Sequence, residues 1–102
     1  MKQVFLVPLV IAAFSQTAQA DILAKADLAY GEYLSGECVT CHRADGGDEG
    51  IPQIIGLDAE GFASIMLAYK AKELENPVMQ IVAGRLDEEQ IASLAVYFES
   101  LE

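Results

Sequence analysis

Apolar residues recur at every third or fourth position in three stretches of the chain, which is the spacing of amphipathic helices. The first predicted helix runs from about Asp21 to Gly36, where the glycine suits a helix end. The second starts with Asp58 as N-cap and reaches about Lys72. The third starts at Asp87, and Gln90 is placed to complete a capping box. Since no stretch alternates as a strand does, we expect an all-α fold of three to four helices.

Two loops separate the predicted helices. Glycine and proline break the helical pattern from Arg43 to Gly56. The second half of this loop, from Ile51 to Leu57, is apolar enough to require packing against another surface. The other loop runs from Leu74 to Leu86, where Ile81 and Val82 are expected to add one helical turn.

Residues 1–20 have the pattern of a secretory signal peptide. Lys2 precedes an apolar run from Val4 to Phe14, and Ala18-Gln19-Ala20 is a cleavage signal of the A-x-A type. A retained membrane anchor is the alternative, but the run is shorter than the roughly 20 apolar residues that a spanning helix needs. We therefore predict export to the periplasm and one mature domain, Asp21 to Glu102.

The chain is strongly acidic, with a formal net charge of −10. This charge argues against binding to nucleic acid or to an anionic membrane surface, both of which attract basic proteins. A basic patch on a protein partner is the favoured counter-surface, and simple solubility explains the charge equally well. A domain this small often needs a disulfide, a metal or a cofactor to complete its core.

One short motif carries the chemistry of this sequence, Cys38-Val39-Thr40-Cys41-His42. The C-x-x-C-H pattern is typical of c-type haem attachment. Two thiols about one helical turn apart can each join a vinyl group of one porphyrin, and the histidine then lies beneath the iron as its proximal ligand. We predict one covalent haem c on Cys38 and Cys41 with His42 bound to iron.

Other uses of two nearby cysteines fit the sequence less well. A thioredoxin-like dithiol requires a βαβ core, and no strands are predicted. A structural zinc site needs four ligands, whereas the chain has two cysteines and one histidine. The remaining alternative is a chance occurrence of the motif.

The second axial ligand of the iron cannot be another histidine, because His42 is the only one. Methionine is the usual alternative in an electron-transfer haem. Met66 lies on a predicted apolar helix face, where methionine is more often core filler. Met79 lies in a predicted loop, which can carry a side chain across the haem, so we favour Met79 over Met66 or an open site.

The order of these elements resembles that of the class I c-type cytochromes over the whole length of the family. Within that class the chain is similar to the small cytochrome subunits of flavocytochrome c sulfide dehydrogenases. Beside the haem motif, the residues that carry the resemblance are Gly31-Glu32-Tyr33-Leu34, Ile51-Pro52, Val78-Met79, Ile81, Gly84 and Asp87-Glu88-Glu89-Gln90-Ile91.

The resemblance implies a role for several residues. Cys38 and Cys41 would form the thioethers, His42 and Met79 would bind the iron, and the carbonyl of Pro52 would accept a hydrogen bond from the histidine. Gly31 and Tyr97 would lie where the first and last helices cross. Arg43 departs from the family pattern, in which many members have glycine after the histidine, and it adds a positive charge near the haem edge.

The implied function is transfer of single electrons by a protein that is not itself an enzyme. As a cytochrome subunit it would accept electrons from a flavoprotein that oxidises sulfide or a related sulfur compound. A soluble carrier that diffuses between redox partners fits the small size and the acidity equally well. A haem sensor or catalyst with an open iron site is the third alternative.

Overall fold

The structure, a computed structural model, describes residues 22–43 and 51–101. Five helices lie wholly within them, and the described residues form no strand. They are α1 Leu28–Leu34, α2 Gly36–Val39, α3 Ala59–Lys70, α4 Pro77–Gly84 and α5 Glu88–Glu99. The all-α prediction is confirmed. The predicted signal peptide and the first half of the Arg43 to Gly56 loop lie outside the described residues.

The predicted first helix is not continuous: residues 22 and 23 are helical, but a turn separates them from the next helix. Helix α1 begins at Leu28, because the side chain of Asp27 accepts a hydrogen bond from the Tyr30 amide and caps the helix. The spacing of apolar residues continues unchanged across the turn before α1, so this spacing does not show where α1 begins. A second cap residue, Ser35, separates α1 from the short helix α2.

The predicted loop from Leu74 to Leu86 is wrong in part: the helical turn expected at Ile81 and Val82 is present, but it belongs to the two-turn helix α4. Asn76 is its N-cap and accepts a hydrogen bond from the amide of Met79 at 3.0 Å. Pro77 occupies the first helical position, which suits its fixed φ angle and its missing N–H. Met79 therefore lies in the first turn of a helix rather than in a loop.

The starts of α3 and α5 are confirmed. Asp58 caps α3 through the amide of Gly61. Asp87 caps α5 through the amide of Gln90, and the side chain of Gln90 bonds back to the amide of Asp87. Each cap satisfies helix N–H groups that have no partner within the helix.

Helix α5 forms the centre of the core, and both α1 and α3 pack against it. Phe98 of α5 stacks at a tilt on Phe62 of α3, with ring centroids 5.6 Å apart. The core side chains are those of Ile22, Ile54, Ala59, Phe62, Ala63, Met66, Ala83, Ile91, Ala92, Leu94, Ala95 and Phe98. Among the described residues, no helix is long and apolar enough to cross a membrane.

Candidate functional site

The C-x-x-C-H motif is wound into a continuous helical turn. Cys38 belongs to α2, and the amides of Cys41 and His42 both bond to its carbonyl, at 3.2 and 2.8 Å. The hydroxyl of Thr40 bonds to the carbonyl of Glu37, which also stabilises the turn. This winding brings both thiols and the imidazole to the wall of one cleft.

The His42 ring is oriented by a hydrogen bond to the main chain. Its Nδ1 lies 2.7 Å from the carbonyl oxygen of Pro52. A carbonyl can only accept, so Nδ1 carries a proton, and in the neutral ring Nε2 then keeps its lone pair. A histidine held in this way is typical of metal ligation, because the contact fixes the tautomer and raises the basicity of the other nitrogen.

The loop that carries Pro52 is itself attached to the core. The amide of Gly56 donates to the carbonyl of Phe98 at 2.8 Å, and Gly56 adopts a φ of 80°, which glycine reaches without strain. Ile54, between Pro52 and Gly56, is buried in the core. The position of the Pro52 carbonyl therefore depends on α5.

The cleft has a volume of about 720 Å³, which lies within the range of cofactor sites. Its wall is predominantly apolar, with few polar side chains. It is formed by Glu37, Cys38, Cys41, His42, Ile51, Pro52, Gln53, Ile54, Leu57, Phe62, Ile65, Met66, Tyr69, Asn76, Val78, Met79 and Val82. A second hollow of about 430 Å³ shares Glu37, Cys38 and Val82 with this cleft.

Both candidate methionines reach this cleft. Met66 is 5% exposed and belongs to the hydrophobic core, as expected of a core-filling methionine. Met79 is half-buried and is packed against the edge of that core. The Met79 side chain is thus more accessible from the cleft than that of Met66, which is enclosed by its neighbours.

The thiols do not have the character of a redox dithiol. Both are free, Cys38 half-buried and Cys41 exposed. Burial, together with the nearby charges of Glu37 and Cys41, raises the pKa of the Cys38 thiol from its ordinary value of 9.0 to about 11. Reactive dithiols lower the pKa of one thiol, so this environment disfavours exchange chemistry. In the part of the chain that the structure describes, no three His, Cys, Asp or Glu side chains are grouped closely enough to hold one metal ion together.

All five residues predicted for the site therefore border one cleft: Cys38, Cys41, His42, Pro52 and Met79. Their chemistry fits haem, since the cleft offers two thiols, an imidazole with a basic Nε2, a thioether sulfur and apolar walls. Sequence reasoning did not find Asn76, which caps the Met79 helix and lines the cleft. The Asn-Pro pair was the available signal, because it combines a favoured N-cap with a favoured first residue.

Two curated proteins are similar to this chain, although no protein-family model matches it. The thiosulfate dehydrogenase electron acceptor of Stutzerimonas stutzeri strain A1501 is 30% identical over 67 residues, which are 63% of this chain and 31% of that protein. Cytochrome c-554(548) of Halomonas halodenitrificans is 34% identical over 83 residues, 74% of this chain and 98% of that cytochrome. The chain thus spans about a third of the first relative and nearly all of the second.

The second similarity covers almost a complete small cytochrome, and the helical structure fits the class I fold. Haem c is the cofactor that this similarity implies. The chain therefore belongs to the c-type cytochromes, a family of electron-transfer proteins.

Proposed function

We propose that this protein is an exported cytochrome with a single haem c, joined covalently to Cys38 and Cys41, that transfers one electron at a time. The observation that supports this most directly is the hydrogen bond from His42 to the Pro52 carbonyl. It leaves Nε2 as the basic nitrogen of a ring that borders an apolar cleft beside two thiols. His42 and Met79 would be the axial ligands of the iron.

The bound haem would supply an iron atom that changes its oxidation state by one electron. The chain's own residues keep the surroundings of that iron constant. Pro52 fixes the His42 ring, Asn76 fixes the start of the Met79 helix, and the apolar walls exclude water. With His42 and Met79 both bound to it, the iron would offer no position to a substrate.

Heterologous production tests the attachment and the export together. The full chain is expressed in a bacterium that attaches haem c, and the periplasmic product is analysed by intact mass and by its pyridine haemochrome spectrum. We expect a protein that begins at Asp21 and carries one haem through two thioethers. Haem that acid-acetone extracts would contradict covalent attachment. A product that retains residues 1–20 would contradict cleavage of a signal peptide.

We further propose that the electron donor is a periplasmic enzyme that oxidises a sulfur compound. The relative from S. stutzeri is named an electron acceptor of thiosulfate dehydrogenase, and the family resemblance points to a flavoprotein that oxidises sulfide. Stopped-flow reduction by such enzymes, with a non-sulfur dehydrogenase as control, measures the donor preference. We expect rapid reduction only with the sulfur-oxidising enzymes.

A freely diffusing carrier is the second candidate. It is favoured by the match to 98% of the length of cytochrome c-554(548), whose name gives it no partner enzyme. Purification from native periplasm distinguishes the two candidates. A stable complex with a flavoprotein supports the subunit role, and a monomer on gel filtration supports the carrier.

A further inference from the structure

The ammonium of Lys70 bridges two helix ends. Its Nζ lies 2.6 Å from the carbonyl oxygen of Leu86 and 3.3 Å from that of Gly84. Gly84 is the last residue of α4, so its carbonyl has no partner within that helix. Lys70 also lies in the last turn of α3. One positive charge is therefore placed at the negative ends of two helices.

Helix α4 depends on contacts at its ends because it is short and has one buried face. Its eight residues are too few for a stable isolated helix. Val78 and Ile81 on its outer face are 64% and 63% exposed, whereas Ala83 is fully buried. Asn76 stabilises the start of the helix through the amide of Met79, and Lys70 stabilises its end.

We propose that Lys70 is a positioning residue for Met79. By bonding the end of α4 to α3, Lys70 keeps α4 against the cleft and so raises the free energy needed to move the methionine sulfur away. The inference rests on the proposed role of Met79 as an iron ligand. An external ligand such as imidazole can reach the iron only while Met79 is displaced, so its apparent affinity reports the displaced fraction.

Imidazole titration of the ferric holoprotein tests this proposal. Lys70→Met should bind imidazole about tenfold more tightly than wild type, a change of the size that loss of one charge-assisted hydrogen bond produces. Lys70→Arg keeps the charge and the donors and should restore near wild-type affinity. Lys70→Gln can keep one neutral hydrogen bond to the end of α4 and so preserve the folding of that helix. Its imidazole affinity should rise by less than that of Lys70→Met.

Lys72→Met is the matched control. It removes the same charge two residues further on, and the Lys72 ammonium takes part in no ion pair among the described residues. Lys72 has a φ of 64°, and lysine and methionine, both unbranched at Cβ, have a similar conformational cost there. We expect wild-type imidazole affinity for this control, and a gain equal to that of Lys70→Met would overturn the proposal.

Two results separate the inference from the proposed function. Equal imidazole affinity in Lys70→Met and wild type, with the far-red sulfur-to-iron absorption band present in both, would overturn the role of Lys70 and leave Met79 as the ligand. Absence of that band from wild type would overturn the ligand role of Met79 itself. A tenfold gain in imidazole affinity in Lys70→Met, with the absorption band present in wild type, supports both the role of Lys70 and the ligand role of Met79.

Discussion

A Cβ atom placed on Gly31 would lie 2.8 Å from the Cβ of Tyr97 and closer still to the main chain of Ser93. Helix α1 therefore crosses α5 at a point where only glycine fits, as the resemblance to the cytochromes predicts. Gly31→Ala should force the two helices apart and destabilise the holoprotein by about 1–3 kcal/mol, the usual cost of overpacking. Denaturant unfolding followed by circular dichroism measures this change.

Gly84→Ala is the matched control for the helix crossing. Gly84 also lies in a helix, but a Cβ there would meet no atom within 4 Å. Alanine is favoured over glycine in helices by about 0.5–1 kcal/mol, so this variant should be as stable as wild type or slightly more stable. Equal losses of stability in both variants would show that the close approach at Gly31 is not the cause.

Met79 and Met66 can be distinguished by their spectra. Met79→Ala should abolish the weak far-red sulfur-to-iron band of the ferric protein and lower its reduction potential, because a thioether ligand stabilises reduced iron. Met66→Leu preserves an apolar core side chain of similar volume and should retain the band at a stability cost below about 1.5 kcal/mol. Loss of the band in Met66→Leu alone would reverse the assignment.

The double variant Cys38→Ala, Cys41→Ala tests how far folding depends on haem. Without attachment, the apolar cleft of about 720 Å³ would be left without the group that we propose fills it. We expect a colourless, poorly folded product that lacks a cooperative thermal transition. A domain this small buries too little apolar surface to fold stably without the cofactor. A colourless variant with native helicity and a sharp transition would contradict this expectation.

The parts of the structure that the sequence predicts are those determined by neighbouring residues. The caps Asp58 and Asp87 act on amides three residues away, so local pattern suffices to find the start of α3 and of α5. The thiols and the imidazole likewise share one turn because they are adjacent in sequence. Their common position beside one cleft needed no knowledge of the tertiary fold.

Two kinds of feature are not predicted from the sequence. In one, two local signals disagree, and in the other, the structure depends on contacts between residues far apart in the chain. Apolar spacing extends through the turn before α1, and only the capping bond of Asp27 sets where the helix starts. The length of α4 reflects support from Asn76 at one end and from Lys70 of another helix at the other. The Lys70 contact joins α3 to the segment after α4, so the spacing of apolar residues along the chain cannot predict it.

A capping box stabilises the start of α5, the helix on which α1 and α3 both pack. Asp87→Ala removes the acceptor for the Gln90 amide and should destabilise the holoprotein by about 1 kcal/mol. Lys25→Ala is the control, because it breaks only the ion pair with Glu88 at 3.3 Å, in which both side chains are more than half exposed. Exposed pairs contribute little, so its denaturation midpoint should stay near that of wild type. A larger loss of stability in Lys25→Ala than in Asp87→Ala would show that the surface ion pair, rather than the cap, stabilises the start of α5.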